Sequence, residues 1–193
     1  LGMAMLWFGW NGFNAGSELA SNARAVNAFL VTNIAASVSM ATWMICEYML
    51  TKKINPIGAA CGAIAGLVAI TPACGFVEPI YALVIGFGSG VICYFALLGF
   101  KKYIKIDDAL DVFSIHGIGG IWGSLSTGLF ATSALGGTTG MIEGNMQILL
   151  EQLIAVVATI AWSFIVTFLI LFILKKLVGL RVSILEEANG IKL

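Results

Sequence analysis

The sequence predicts an all-α integral membrane protein. Hydrophobic residues make up 60% of its 193 residues, and charged residues only 10%. The mean hydropathy of +1.00 lies far above the range of soluble globular domains. The apolar residues also form runs long enough for helices that cross a bilayer, separated by short polar loops. We therefore expect a polytopic bundle of helices in the lipid bilayer.

Charge and cysteine content argue against several other classes of protein. Ten Lys and Arg residues balance ten Asp and Glu residues, so no global field favours binding to nucleic acid. The start of the chain lacks the basic segment and cleavage site of a signal peptide. The four cysteines show no CxxC spacing and lie in or next to apolar runs: Cys46, Cys61, Cys74 and Cys93. We interpret them as small buried apolar residues, and we expect neither a metal site nor a cofactor.

The first two apolar segments differ in length. Residues 1–13 are apolar and aromatic but too short to span a bilayer, so we expect the chain to begin inside a helix. A polar loop with Glu18 and Arg24 follows. Residues 27–50 are long enough for a complete span.

The third helix has a clear beginning at Pro56. Asn55 is a good cap, and a proline at the first helical position loses no hydrogen bond. Glycines follow at i+4 spacing, at Gly58, Gly62 and Gly66. Such a stripe of small residues lets a neighbouring helix approach closely in lipid. We expect the helix to end in the segment 71–75.

Three further helices complete the prediction. Residues 77–100 form a span, and a helix from about 108 to 134 carries the only histidine, His116. Residues 146–174 form an unusually long apolar helix, which must tilt or project beyond the bilayer. The predicted total is five full spans and one truncated span.

The basic residues predict the orientation. Nine of the ten Lys and Arg residues lie in the loops 51–56 and 101–106 and in the tail from residue 175. By the positive-inside rule these segments are cytoplasmic. The C-terminus is then cytoplasmic, and the helix of His116 begins on the cytoplasmic side.

His116 is the strongest candidate for a functional residue. With Asp107 as the helix cap, His116 follows nine residues later, about 13 Å into a hydrocarbon core of about 30 Å. An ionisable residue at that depth marks a substrate or proton pathway by default. The alternative is a buried histidine that is satisfied by a serine or threonine of a neighbouring helix.

The residues around His116 leave two further questions open. Gly119, Gly120 and Gly123 follow it at helical spacing, and they serve either close helix packing or a narrow passage beside the imidazole. Asp107 and Asp108 are expected to stabilise the helix N-terminus. Asp111 either does the same or organises the cytoplasmic vestibule.

Three stretches together resemble the second half of the ammonium transporter family (Amt/Mep/Rh), and specifically its Amt branch. They are Gly9–Ser17, with the sequence GWNGFNAGS, Gly62–Gly75, with GAIAGLVAITPACG, and Asp107–Gly117, with DDALDVFSIHG. The segment Val178–Val182 is similar to the family as well. The resemblance covers residues 1–182, and residues 183–193 form a cytoplasmic tail.

The resemblance implies a particular fold and assembly. Members have eleven transmembrane helices, of which the first five and the next five form an inverted repeat around a hydrophobic pore. This chain would supply the second inverted repeat of five helices plus the long final helix. The implied assembly is a homotrimer in the plasma membrane with one pore in each subunit.

The resemblance also assigns roles to four residues. His116 matches the second histidine of the family's twin-histidine pair in the pore. Phe13 matches one of the two stacked phenylalanines that close the outer mouth, and Ser17 matches the serine of the outer ammonium recruitment site. Asp111 matches the aspartate that precedes the second histidine on the cytoplasmic side. The first histidine, the other phenylalanine and the recruitment-site tryptophan belong to the other half of the family's fold.

The implied function is transport of ammonium or ammonia, with methylammonium as an analogue, and not an enzymatic reaction. A P-II-class regulatory protein is a further expected partner at the cytoplasmic face, although residues 183–187 follow the family's acidic tail only loosely. Two alternatives remain open: an ammonium sensor, and a transporter half for another small solute. An alternative of a different class is a membrane enzyme or structural subunit that uses His116 as a ligand or packing residue.

Overall fold

A computed structural model describes residues 1–104 and 108–190 of the chain, with the side chain of Ile184 outside the description. The residues form two compact units, Leu1–Leu153 and Ile154–Leu193, which we describe separately. The elements of the first unit are helical: α1 (Gly2–Gly16), α2 (Ala23–Thr51), α3 (Pro56–Ile70), α4 (Pro79–Gly99), α5 (Ile118–Phe130) and α6 (Ser133–Gly136). Two π-helical segments, Phe100–Ile104 and Phe113–Gly117, and a 3₁₀ turn, Met141–Glu143, complete them. The helix α7 (Met146–Leu177) begins in this unit, and α8 (Ile184–Asn189) lies in the second.

The predicted all-α membrane architecture is confirmed. Within the described ranges, three helical segments are long and apolar enough to cross a membrane: α2, α4 with its π-helical extension to Ile104, and α7. The helix α3 is apolar but has only 15 residues, because the turn from Thr71 ends it. Three of the five predicted full spans are thus single long helices. The other two predicted spans contain shorter helices, α3 and α5.

Helix starts follow the predicted capping chemistry. The Asn55 side chain accepts a hydrogen bond from the Ile57 N–H, with Pro56 at the first position of α3, as expected. The helix α2 begins four residues before the predicted residue 27, because Asn22 caps it by accepting from the Ala25 N–H. An asparagine cap satisfies a donor that the helix itself leaves free.

Helix α1 continues beyond the predicted end at residue 13. It includes Phe13 and Asn14 and ends at Gly16. The buried Asn14 is compatible with a helix because its amide donates to the Thr32 hydroxyl of α2 at 2.9 Å. The hydrogen bond compensates for the desolvation of the buried amide, so the helix can continue through it.

The helix of His116 is shorter than predicted at both ends. Regular helical structure begins near Phe113 and not at residue 108, because Asp111 adopts a positive φ of 55°. It ends at Phe130, because Ala131 is extended, with ψ 140°. Asp107, the predicted cap, lies outside the described residues. The depth of His116 counted from Asp107 is therefore wrong as a helical distance, because residues 108–111 are not helical.

The core of the first unit lies between α2, α3, α4 and α5. Its two clusters of buried side chains centre on Val31 and Ile85 and on Trp43 and Cys93. Glycines of α3 and α4 allow these helices to approach α2, as the glycine stripe predicts. The buried hydroxyls of Ser39 and Ser89 bridge α2 and α4 at 2.9 Å.

The connections between helices lie at two ends of this unit. We call one the Arg24 end, where the segments 17–22, 71–78 and 131–145 lie next to one another. We call the other the Lys101 end, where Lys101 forms an ion pair with Asp111. At this second end the Glu47 carboxylate accepts from the Asn55 N–H at 3.2 Å. This contact holds the connection between α2 and α3.

The second unit contains the rest of α7 and the short α8. Phe164, Phe168 and Phe172 stack along one edge of α7, with ring centroids 6.4 Å apart. A capping box formed by Ser183 and Glu186 begins α8. The Ser183 hydroxyl and N–H hold the pKa of the Glu186 carboxyl below its usual value.

Candidate functional site

Three aromatic side chains form a continuous row along one side of the first unit. Trp10 and Phe13 lie one turn apart on α1, and their rings meet edge to face at 6.3 Å. On its other side, the Trp10 indole stacks on the His116 imidazole, with centroids 6.4 Å apart and an interplanar angle of 25°. The structure thus brings together two residues singled out from the sequence, Phe13 and His116, through a third that was not.

The position of Trp10 is set by a hydrogen bond to another helix. Its Nε1 donates to the Thr71 hydroxyl at 2.7 Å. That hydroxyl in turn donates to the Leu67 carbonyl at 2.7 Å, so it is oriented to accept from the indole. A ring held by a hydrogen bond on one edge has few orientations left, and Trp10 therefore presents a fixed face to His116.

His116 lies on an exposed part of this chain. Its ring forms no hydrogen bond within the described residues, so a serine or threonine partner on a neighbouring helix is not found there. The π-helical segment Phe113–Gly117 contains it. Such segments add a residue to the helical turn and are common at functional sites.

The three glycines that follow His116 have different surroundings. A Cβ atom at Gly119 would lie 3.3 Å from the Cys93 Sγ, and one at Gly123 would overlap the Ala69 carbonyl. These two glycines therefore serve helix packing. A Cβ atom at Gly120 would meet nothing within 4 Å, so only this position leaves open space.

An apolar groove runs along α1 beside the aromatic row. It has a volume of about 470 Å³, and five residues line it: Met5, Leu6, Gly9, Trp10 and Phe13. Phe13 is 61% exposed. In a chain with membrane-spanning helices, an exposed apolar groove faces either lipid or another apolar segment of protein.

Ser17 lies one turn beyond Phe13 and is also exposed. Its hydroxyl donates to the Phe13 carbonyl, which leaves the oxygen lone pairs available. Beside it lies a second cavity of about 250 Å³, which is lined in part by Asn14, Glu18 and Arg24. The structure therefore places Ser17 close to Phe13 and at the Arg24 end.

Asp111 lies at the other end of the site. Its carboxylate pairs with the Lys101 ammonium at 3.0 Å, and its side chain is only 15% exposed. The Phe100 and Phe113 rings pack edge to face at 5.0 Å next to this pair. Asp111 is therefore not a residue of the first helical turn. It joins the end of α4 to the segment that carries His116.

Asp108 performs the capping role that was expected of it. Its carboxylate accepts hydrogen bonds from the Phe113 and Val112 N–H groups, both at 2.9 Å. These two bonds stabilise the charged form and lower the pKa of Asp108. The backbone that leads to His116 is thus held on both sides, by Asp108 and by Asp111.

Trp10 and Thr71 are the site residues that the sequence did not single out. The spacing of Trp10 and Phe13 at i and i+3 predicts that they share a helix face. No local pattern predicts the contact with Thr71, because Thr71 lies 61 residues away from Trp10 in the sequence. Among the described residues, no group of three His, Cys, Asp or Glu side chains is placed to hold a metal ion.

Comparisons with known proteins identify the family of the chain. The family model described as Ammonium Transporter Family matches residues 1–193. The chain is 45% identical over 195 residues to the ammonium transporter of Bacillus subtilis, and 48% identical over 193 residues to the ammonium transporter Amt1 of Archaeoglobus fulgidus. Each alignment covers 100% of this chain, and 48% and 49% of the respective relatives. These relatives are named as transporters and not as enzymes.

Solved structures are similar as well. The crystal structure of Saccharomyces cerevisiae Mep2 matches with a TM-score of 0.90 and 38% identity, over 95% of this chain and 43% of that chain. A structure named Sensor Amt Protein matches with a TM-score of 0.91 and 34% identity, over 100% of this chain and 47% of that chain. The chain therefore spans about half the length of the relatives that it matches.

Proposed function

The chain belongs to the ammonium transporter family, and we propose that it forms one half of a pore that conducts ammonium or ammonia across the plasma membrane. The observation that carries this proposal is the row of Phe13, Trp10 and His116. The row combines an apolar aromatic wall with one titratable ring. Such a surface suits a small solute that exists both as a cation and as a neutral base.

The aromatic residues account for the first step of the proposed transport. A cation close to the face of Trp10 or Phe13 is attracted by the ring quadrupole. The Ser17 hydroxyl, at the same end of α1, offers an oxygen that accepts a hydrogen bond from ammonium. Together these groups concentrate ammonium at one mouth of the pore.

The apolar character of the groove accounts for the second step. A bare cation is costly to move past side chains such as Met5 and Leu6, whereas neutral ammonia is not. Ammonium therefore loses its proton before ammonia moves along the apolar groove. His116 offers one donor and one acceptor as a neutral imidazole, and it relays the proton or holds ammonia by a hydrogen bond. A second histidine is contributed by residues outside this chain.

The remaining features of the proposal follow the family resemblance and the charge pattern. Ser17 and the Arg24 end face the outside, and Asp111 and the C-terminus face the cytoplasm. The assembly is a homotrimer with a pore in each subunit. A P-II-class regulatory protein is the proposed cytoplasmic partner.

Methylammonium uptake tests the proposal directly. The full-length protein that carries residues 1–193 is expressed in cells that lack ammonium transporters, as wild type and as His116→Ala. We expect uptake by the wild type and a loss of at least about tenfold in the variant, because no other imidazole is present in these residues. Val112→Ala, an exposed position four residues earlier, is the matched control and is expected to keep full uptake.

The outcomes separate the parts of the proposal. Uptake that survives unchanged in His116→Ala would make His116 a packing residue. A wild type that reaches the membrane but transports nothing would remove the transport function altogether.

A sensor is the second candidate function, because the similar Sensor Amt Protein covers the whole of this chain at 34% identity. A sensor binds ammonium without net flux. Tight binding of ammonium to purified protein, together with absent uptake in intact cells, would favour the sensor.

A further inference from the structure

Arg24 occupies an electrostatically unfavourable place. It is the second residue of α2, which begins at Ala23. The N-terminus of a helix carries a partial positive charge, so a cation there is repelled by the helix dipole. The side chain is nevertheless only 34% exposed, and therefore its contacts elsewhere must compensate.

Those contacts reach two other connections at the same end. The Arg24 Nε donates to the Leu135 carbonyl at 3.2 Å. The guanidinium also lies over the Phe76 ring, 5.6 Å from its centroid. A guanidinium at this distance from an aromatic face is attracted to it. One side chain thus joins the start of α2 to the segments 71–78 and 131–145.

Phe76 holds the segments 71–78 and 131–145 together, and the two segments support the start of α2. Its ring lies against Gly136, where any Cβ atom would overlap the ring. Its carbonyl accepts a hydrogen bond from the Thr132 N–H at 2.8 Å. The two segments are therefore fixed to each other independently of Arg24, which binds to the outside of the pair.

Glu18 extends the linkage to α1. Its Oε2 lies 3.4 Å from the Arg24 Nη1, and its side chain is only 20% exposed. Its Oε1 accepts from the Asn22 amide at 2.9 Å. Glu18 directly follows Ser17, whose hydroxyl is bonded to the Phe13 carbonyl. Because both partners are largely covered, salt screens this pair less than an ion pair on an open surface.

We infer that Arg24 is a positioning residue for the mouth of the pore: through Glu18 it holds the end of α1, with Ser17 and Phe13, against the support formed by Phe76. This inference rests on the proposed transport function. Arg24 itself does not touch the solute. It determines where the recruiting groups lie and therefore how well ammonium is captured, not how fast it moves past His116.

Uptake kinetics of methylammonium by the full-length protein test the inference. We expect Arg24→Ala to raise KM about fivefold, with Vmax per copy in the membrane unchanged. Glu18→Ala, which removes the acceptor of Arg24, should raise KM in the same direction. The double variant should show no more than the larger single effect, because both substitutions break one linkage. Arg24→Lys should recover part of the loss, since it keeps the charge but not the planar donor group.

Lys53→Ala is the matched control for loss of a cation. Lys53 is an exposed cation beyond the other end of α2 and should leave KM unchanged. Glu18→Ala still tests the inference if Arg24→Ala fails to assemble, because it leaves the contacts of Arg24 with Leu135 and Phe76 in place. An unchanged KM in Glu18→Ala, or a fall in Vmax alone in Arg24→Ala, would overturn the inference.

A second measurement does not depend on transport. Ala15 is partly buried against the core of the first unit. In detergent, the thiol of an Ala15→Cys protein should react with maleimide severalfold faster when Arg24→Ala is added, because the end of α1 is released. The parent without Ala15→Cys supplies the background from native cysteines. Equal rates would overturn the inference even if the wild type transports nothing, so its failure is distinct from failure of the proposed function.

Discussion

The space beside the glycines where α3 and α4 meet α2 is filled by the neighbouring helix, whereas Gly12 of α1 and Gly120 of α5 face open space. A Cβ atom at Gly86 would lie 2.6 Å from the Ala35 carbonyl, and one at Gly66 would overlap the same atom. At Gly12 and Gly120 a Cβ atom would meet nothing within 4 Å. The same residue type thus produces close packing on one side and an open surface on the other.

One helix bundle therefore combines a closely packed side, around α2, with an accessible side, along α1. Close approach of backbones provides van der Waals contact in a membrane, where water supplies no hydrophobic force between helices. The side of α1 that carries Phe13, next to His116, has no such filling among the described residues. Its apolar groove is exposed, and in the proposed function this groove faces the solute.

The largest effect is expected from a methyl group on the packed side. Gly66→Ala should destabilise the protein by about 2 kcal/mol or more, because the added Cβ overlaps backbone of α2 and the helices must separate. Thermal unfolding in detergent measures the change. The matched variant Gly120→Ala adds the same group to open space and should leave the unfolding temperature nearly unchanged. Equal destabilisation by both would remove the distinction between the two sides.

An intermediate effect is expected from the two tryptophans of α1. Trp10→Phe removes the hydrogen bond to Thr71 and weakens the stacking on His116, so uptake should fall about fivefold. Trp7→Phe removes a similar bond, to the Asn33 side chain at 3.0 Å, but no contact with His116. It should leave uptake within about twofold. If the two variants lose uptake equally, the aromatic row has no special role.

The smallest effect is expected at the edge of the open side. The pKa of Asp108 is lowered by the Phe113 and Val112 N–H groups, so its contribution to stability is present above its unfolded pKa of about 4. That contribution is lost as the pH falls through the lower pKa of the folded state. Asp108→Asn should therefore lower stability slightly at pH 7 and remove this pH dependence. An unfolding profile between pH 3 and pH 7 that is the same in both proteins would contradict the capping role.

Local patterns predicted most of the secondary structure. Asn55 and Pro56 mark the start of α3, and the long apolar run predicts α7, because capping and hydrophobic length act within a few turns of one helix. The ends of α1 and of the His116 helix were less accurate. Asn14 continues α1 through a hydrogen bond to Thr32, and Asp111, paired with Lys101, delays the start of the His116 helix. Both outcomes depend on partners on other helices.

The features of the candidate site also fall into two groups, those visible in the sequence and those found only in the structure. The motif around His116 and the spacing of Phe13 and Ser17 were visible in the sequence and identified the family. The stacking of Trp10 on His116, and the linkage of Arg24 to Glu18 and Phe76, were not.

The sequence by itself determined that this is a helical membrane protein of the ammonium transporter family, since hydropathy, caps and motifs are local properties. Only the tertiary structure decided which glycines pack, which face stays open and which aromatic ring lies against His116. Those choices depend on how helices far apart in sequence approach one another, and close contacts between residues such as Trp10 and Thr71 form only after the helices have assembled.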